Sequence, residues 1–377
     1  MRLSVVARRA GWMIVGLTVL AAGLAAQPVP LEPDQMVSDA DNGHIVVCPV
    51  VEGRPDGGFA VAWAHTPSFG VVPWLSIGVA EPQAPPQAPR FLDQSIELPA
   101  YLAPSELRMT ATGWTLTWLR GYYSPQRLAA ALDMVGERLY GTTILPPIET
   151  MSPRPTGGFV AVRRMNGRFE VQLRDPFGNP AGPGFVVPDR LAAEWTVHHR
   201  PDGRFVVLWN DEESPALGIT ALRFDADGRP TGRPFAVAPP LHGGRYVSTL
   251  SDDGTLAVAF SSSPSRFQVR TYDERGRNRG VFRLAARDEV DALAVVAGRV
   301  FLVWRSHVPG WPLGLLLDSR GTRLGPPFQL ASTSSFDYPT MDCARVAAAG
   351  SIWVVTWVLR PAVGLEDIVM SRRFAVP

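Results

Sequence analysis

The sequence predicts an all-β fold: a single seven-bladed β-propeller of four-stranded antiparallel blades, its last blade closed by an N-terminal strand. Three observations predict it. A glycine turn followed by an apolar, aromatic-ended run recurs about every 50 residues, within the range of propeller repeats. The runs are apolar on both faces, so each strand needs cover on two sides. The last copy ends one strand short, while the chain begins with one strand to spare.

The first copy of the run reads Gly57-Gly58-Phe59-Ala60-Val61-Ala62-Trp63. It returns from Gly113 to Trp118, Gly157 to Arg163, Asp202 to Trp209, Asp253 to Phe260, Gly298 to Trp304 and Gly350 to Trp357. A second signature, Asp-x-x-Gly, appears at Asp133 to Gly136, Asp175 to Gly178, Asp225 to Gly228, Asp273 to Gly276 and Asp318 to Gly321. An aspartate at the first position of a type I turn caps its own backbone, and glycine suits the last position. Each repeat therefore reads as strand, glycine turn, strand, loop, strand, Asp-x-x-Gly turn, strand. Phe205-Val206-Val207-Leu208-Trp209 has no polar residue to turn to water. A radial stack of small sheets covers both of its faces.

The seventh repeat stops at Phe374-Ala375-Val376-Pro377 after its third strand, and a spare strand lies near Gln35-Met36-Val37. On this register Cys48 falls in the first strand of blade 1 and Cys343 in the first strand of blade 7, neighbours around the axis. The chain has 2 cysteines, and a Cys48–Cys343 disulfide is expected. Two buried free thiols are the alternative, since a bridge needs Cα atoms within about 7 Å. Two passages fit the repeat less well. Residues 82–89, rich in proline, read as an enlarged loop. Residues 124–139 begin with a helix start signal, Ser124-Pro125, but their place in the repeat says strand, and the repeat is followed.

Residues 1–26 read as a signal peptide: Arg2, Arg8 and Arg9, then an apolar run from Trp12 that ends in small residues. That run is shorter than the roughly 20 residues a membrane span needs; a retained N-terminal anchor is the alternative. Residues 27–377 form the propeller. The expected compartment is periplasmic or extracellular, with no membrane span after cleavage. The 36 basic and 35 acidic residues leave a net charge of +1, without the basic excess of a nucleic-acid binder. There is no lysine, which excludes Schiff-base chemistry and a phosphate-loop lysine.

The chain resembles exported bacterial repeat proteins whose units read Gly-Gly-Phe-Val-Val-x-Trp followed by Arg-x-Phe-Asp-x-x-Gly-x-x-x-Gly. The closest copy here runs from Gly203 to Gly232 and includes Arg223-Phe224-Asp225-Ala226-Asp227-Gly228. The resemblance covers nearly the whole chain after the signal. It implies a propeller-like fold and no activity, because fold alone assigns no function.

Motifs that carry chemistry are scarce. Asp225-Ala226-Asp227-Gly228 looks like part of a calcium loop, yet the other copies lack its middle aspartate, and a turn explains all of them. Ser251-Asp252-Asp253-Gly254-Thr255 has the wrong spacing for a sialidase-type Asp-box and reads as a turn. His198 and His199 are adjacent on a strand and point to opposite faces, which prevents joint binding of one ion. Asp211-Glu212-Glu213 reads as a solvated acidic loop. No catalytic set, cofactor or metal site is assigned.

Loop length selects a face. The glycine turns and the Asp-x-x-Gly turns share one side of the disc and are short. The second loops and the blade-to-blade connections share the other side, are longer, and suit binding. They carry Trp74, Arg120, Tyr122, Tyr123, Asp211, Glu212, His307, Trp311 and Arg360 as ligand-face candidates, with aromatic and arginine types of the kind enriched in hot spots. The expected function is a non-catalytic exported binding or scaffold module for a protein or carbohydrate partner. The alternative is a hydrolase or lyase on polysaccharide or glycoconjugate, which requires paired carboxylates about 5 to 10 Å apart in a cleft.

Overall fold

The computed structural model describes residues 28–38, 44–67, 74–88, 90–94, 102–121, 126–139, 141–146, 150–165, 168–187, 194–210, 218–239, 246–263, 266–285, 289–305, 312–331, 340–360 and 367–376. They form seven antiparallel sheets. Blade 1 comprises His44–Gly53, Phe59–Pro67, Trp74–Ala80 and Arg90–Gln94; blade 2, Leu102–Thr110, Gly113–Arg120, Gln126–Leu132 and Thr143–Ile144; blade 3, Thr150–Pro153, Phe159–Met165, Arg168–Arg174 and Phe185–Val187. Blade 4 comprises Glu194–His199, Phe205–Asn210, Ile219–Phe224 and Phe235–Ala238; blade 5, Tyr246–Leu250, Leu256–Ser263, Arg266–Tyr272 and Asn278–Ala285. Blade 6 comprises Glu289–Val296, Arg299–Arg305, Pro312–Asp318 and Phe328–Gln329, and blade 7 holds Thr340–Ala349, Ile352–Arg360 and Ile368–Ala375. First strands of successive blades touch all the way round, and the first strand of blade 7 meets that of blade 1. The ring is a closed seven-bladed β-propeller, as the repeat predicts.

The two-faced apolar strands do what their pattern requires. Phe205, Val207 and Trp209 belong to the core between blades 3 and 4, while Val206 and Leu208, the alternate residues, belong to the core between blades 4 and 5. One such cluster fills each junction of the ring. The aromatic ends of the second strands anchor them: Trp63, Trp118, Trp209 and Trp357 are fully buried.

In the Asp-x-x-Gly turns the aspartate caps two amides. Asp225 Oδ1 accepts from the backbone N–H groups of Asp227 at 3.0 Å and Arg229 at 2.8 Å. Asp133, Asp175, Asp273 and Asp318 do the same. The carboxylate is a turn cap in every copy, which is the turn reading of Asp225-Ala226-Asp227-Gly228. Gly228 has φ +79°, and a Cβ there would meet Leu173 of blade 3 at 3.0 Å. The glycine thus answers both a left-handed backbone and a close approach between blades.

Residues 126–132 are a strand, as the repeat demands and the local helix signal does not. The expected enlarged loop after blade 1's third strand is corrected in part. Ala80 bridges Pro86 as Leu132 bridges Arg138, so this turn is as short as the others. Ala84 N–H reaches Glu81 O at 3.2 Å, with Gln83 at φ 62°. Proline at the second position and a left-handed third residue make a type II turn, which replaces the Asp-x-x-Gly chemistry without lengthening the chain.

The N-terminus closes blade 7. Val29 and Pro30 pair with Ala375 and Phe374, and Gln35 and Met36 pair with Ser371 and Met370. Between them the strand is interrupted at Pro33, which has no N–H to offer the ladder. Glu32 and Asp34 instead face Arg373 at 3.3 Å and Arg372 at 3.2 Å. Nearer the axis, Cys48 and Cys343 form a disulfide with a Cα–Cα distance of 5.2 Å.

Candidate functional site

Five blades place polar side chains on their inner strands near the short-turn end of the axis. Glu52 ends the first strand of blade 1; Glu106 and Arg108 lie on that of blade 2, Ser152 on that of blade 3, His198 and His199 on that of blade 4, and Ser248 on that of blade 5. The inner strand of blade 2 slips its register between Pro104 and Glu106, and such a bulge re-aims side chains.

The contacts run as a belt from blade to blade. Arg108 reaches Glu52 Oε2 at 3.2 Å and Glu106 Oε1 at 3.1 Å. Ser152 Oγ donates to Glu106 Oε1 at 2.7 Å and lies 2.9 Å from His199 Nε2. His198 Nε2 lies 2.8 Å from Ser248 Oγ. The neighbouring histidines therefore face opposite blades, which is the strand geometry that argued against a shared metal.

Burial sets the electrostatics of the belt. It raises the Glu52 and Glu106 carboxyls above their ordinary value, and Arg108 opposes the rise. Burial works against the Arg108 charge as well, but the two carboxylates outweigh it and hold the guanidinium charged. Burial lowers His198 to about 3, with Arg108 adding to the effect. His199, 7% exposed, is held well below its ordinary value by burial and then by Arg108.

Ser152, His199 and Glu106 invite comparison with a nucleophilic triad, and the wiring differs. In a triad the histidine bridges serine and acid, taking the serine proton while the acid orients its far nitrogen. Here the serine is the bridge. Its single proton goes to Glu106, so His199 Nε2 must donate to Ser152 Oγ. His199 then has no acceptor aimed at the serine proton, and among the described residues its Nδ1 meets no partner. The arrangement orients side chains between blades and does not activate Ser152.

The ligand-face candidates fall as follows. Trp74, Arg120 and Arg360 lie where second strands end or third strands begin, so the topology brings them to one face, opposite the short turns. Trp74 stacks on His65 at 4.7 Å between ring centroids, and His65 Nε2 accepts from Trp63 Nε1 at 2.7 Å. Arg120 pairs in the ladder with Leu102 and Gln126, and the Arg360 backbone pairs with Thr340. Tyr122, Tyr123, Asp211, Glu212, His307 and Trp311 lie outside the described residues, as does the Asp211-Glu212-Glu213 cluster. Sequence reading missed the belt. Its signal was present in Glu52 and Glu106, charges within first strands that otherwise feed a core.

No family model matches the sequence, and no curated protein does. Among solved structures, the chain is similar to a protein of unknown function from Dyadobacter fermentans, with 11% identity, a TM-score of 0.55, and 93% of this chain and 99% of that one covered. It is similar to the β-propeller domain of the trilobed protease from Pyrococcus furiosus, described as having an open velcro topology, with 11% identity, a TM-score of 0.54, and coverage of 89% and 98%. It is also similar to a prolyl endopeptidase, with 13% identity and a TM-score of 0.56, covering 89% of this chain and 47% of that one. The chain thus spans about half the length of the endopeptidase. At these identities the likeness is one of fold alone, and the fold shared by all of them is the β-propeller.

Proposed function

We propose that the chain is a non-catalytic binding or scaffold module, exported to the periplasm or beyond, that takes a protein or glycan partner on its long-loop face. The observation that carries this reading is the wiring of the axial belt. Paired carboxylates, a serine and histidines meet there, and they are engaged with one another: Arg108 is shared between Glu52 and Glu106, and Ser152 is turned to Glu106 rather than freed by His199. The carboxylate pair required by the hydrolase alternative is thereby tied to an arginine. The disulfide supports export, because such bonds persist in oxidising compartments. Among the described residues no helix is long and apolar enough to cross a membrane.

The residues assigned to the ligand face are Trp74, Arg120, Tyr122, Tyr123, Asp211, Glu212, His307, Trp311 and Arg360. The test is a thermal-shift screen of residues 27–377 against divalent metals, oligosaccharides and cell-envelope extracts. A ligand at 100 times its dissociation constant adds about 2.7 kcal/mol, readable as a higher melting midpoint. The reading expects a shift that is lost when Tyr122, Tyr123 and Trp311 are changed to alanine. Retention of the full shift in that variant overturns the assigned face, and conversion of an added glycan to product overturns the non-catalytic reading.

A further inference from the structure

The repeat supplies its own control for a site. On the short-turn face, two residues of one blade fill the space against the next at the junctions of blades 3 and 4 and of blades 4 and 5, and one does so at the junctions of blades 1 and 2 and of blades 5 and 6. One stands two positions ahead of the third turn. Val79 would lie 3.1 Å from a Cβ on Gly136, and Leu173 3.0 Å from one on Gly228. Arg223 donates to Asp273 O at 2.8 Å and Thr271 to Ser319 O at 2.6 Å. The other opens the first turn: Arg154 donates to Ala226 O at 2.8 Å, and Arg200 pairs with Glu274 at 2.6 Å.

Blade 2 has neither. Ala131 holds the first of these positions and Thr110 the second, both shorter than the Leu173 and Arg154 that blade 3 carries there. Gly178, the matching glycine of blade 3, is met instead by Pro146 and Leu145 at the outer edge of blade 2. Among the described residues the core between blades 2 and 3 is correspondingly small, formed by Ala129, Leu145, Met151, Phe159 and Ala161. What remains is an open groove of about 290 Å³.

Its lining is chemically distinctive. No ionisable residue is among its lining, the floor is Ala129 and Ala131, and Thr110, Thr112, Thr115 and Thr143 stand around it, while the Thr156 side chain turns to Gly203 of blade 4. Each threonine hydroxyl both donates and accepts, and none is engaged by another described side chain. Threonine methyls, alanines and prolines supply C–H surface between the hydroxyls. Phe177, the residue after the lining residue Pro176, is 65% exposed. A lining of neutral hydroxyls beside apolar carbon matches a sugar, whose own hydroxyls both donate and accept around C–H faces. It holds no opposite charge for a carboxylate, sulfate or ammonium group, whose desolvation there would be met by neutral hydroxyls alone.

We propose that the groove between blades 2 and 3 binds an uncharged carbohydrate. The site lies on the face opposite the residues proposed above and rests on the reading of the chain as a binding module.

The test uses the full chain, with maltotriose, cellotriose and tri-N-acetylchitotriose as neutral probes and trigalacturonate as the charged one, followed by calorimetric titration. Ala131→Leu installs the residue that blade 3 carries at the equivalent place, so it fills the groove in a manner the fold already tolerates. Thr143→Val removes a hydroxyl without filling. The site predicts that a neutral trisaccharide binds, that trigalacturonate does not, and that Ala131→Leu weakens binding at least tenfold while the melting midpoint stays within a few degrees of the parent. Thr143→Val should weaken binding several-fold. No binding of any neutral probe, or equal binding of the charged one, overturns the proposal. Binding that Ala131→Leu leaves unchanged overturns it too, while the module reading stands with the sugar elsewhere. Cleavage of the bound trisaccharide removes the module reading itself.

Discussion

Cys48 and Cys343 are 295 residues apart in sequence and 5.2 Å apart at their Cα atoms, joined across the junction where the ring begins and ends. Both lie in register slips of their strands, between Val47 and Val50 in blade 1 and between Asp342 and Arg345 in blade 7. The bond therefore ties the first and last inner strands where each leaves its ladder. A cross-link over so long a loop restricts the unfolded chain strongly. Replacing both cysteines by serine should destabilise the protein by about 2 to 5 kcal/mol, measured by urea unfolding. Two thiols titrating in the denatured, unreduced parent would contradict the bond.

The outer rim of the same junction has its own fastening. Arg373, 3% exposed, donates to Glu81 O at 3.1 Å and to Ala84 O in blade 1, and faces Glu32 of the N-terminal strand. Arg373→Ala leaves a carboxylate and two carbonyls without their cation. The expected loss is about 3 kcal/mol or more, together with faster hydrogen exchange at Val29–Met36. Unchanged exchange in that segment would show that Arg373 does not hold the closing strand.

The histidines predict acid sensitivity. Their folded values lie below the unfolded value near 6.5, so their contribution is complete above pH 6.5 and is lost as the pH falls toward the folded values. The slope is at most ~1.4 kcal/mol per pH unit for each histidine. Glu52 and Glu106 act with the opposite sign, since their raised folded values favour the protonated state and restore stability at lower pH. The loss is therefore expected as the pH falls below 6.5, and it is reduced wherever the two carboxyls take up protons. Urea midpoints at pH 7.5, 6.5 and 5.5 should fall in that order, and a His198→Asn, His199→Asn double variant should flatten the series. A parent series no steeper than that of the double variant contradicts buried neutral histidines.

Gly228 tests the double demand on the turn glycines. Gly228→Ala must hold alanine at φ +79° and press a methyl on Leu173, with a backbone cost of about 1 to 2 kcal/mol before any crowding. Gly232→Ala, where nothing lies within 4 Å, should be nearly neutral by the same unfolding measurement. Equal effects of the two substitutions would remove the argument from inter-blade contact.

The parts of this fold that recur were legible in the sequence. The two-faced run Phe205–Trp209 and the aspartate caps each state a local rule, which the period repeats seven times for the run and five for the caps. The closing strand and the disulfide followed from counting strands. The belt was not legible, because Glu106 and Ser152 are 46 residues apart and meet only through the register of two blades. A charge on a first strand reads equally well as solvated until its neighbour across the junction is known. The turn after blade 1 misled for a related reason: Pro82 and Gln83 build by proline geometry what the other blades build with aspartate and glycine.

The central claim is that the chain binds and does not react, with the acids and histidines at its axis engaged in holding blades together. The most direct measurement is product analysis after incubating the pure chain with cell-envelope polysaccharide, in parallel with its melting midpoint. A raised midpoint with no new reducing or unsaturated ends is the predicted result. New sugar ends that disappear in a Glu106→Gln variant would contradict the account and place catalysis in the axial belt.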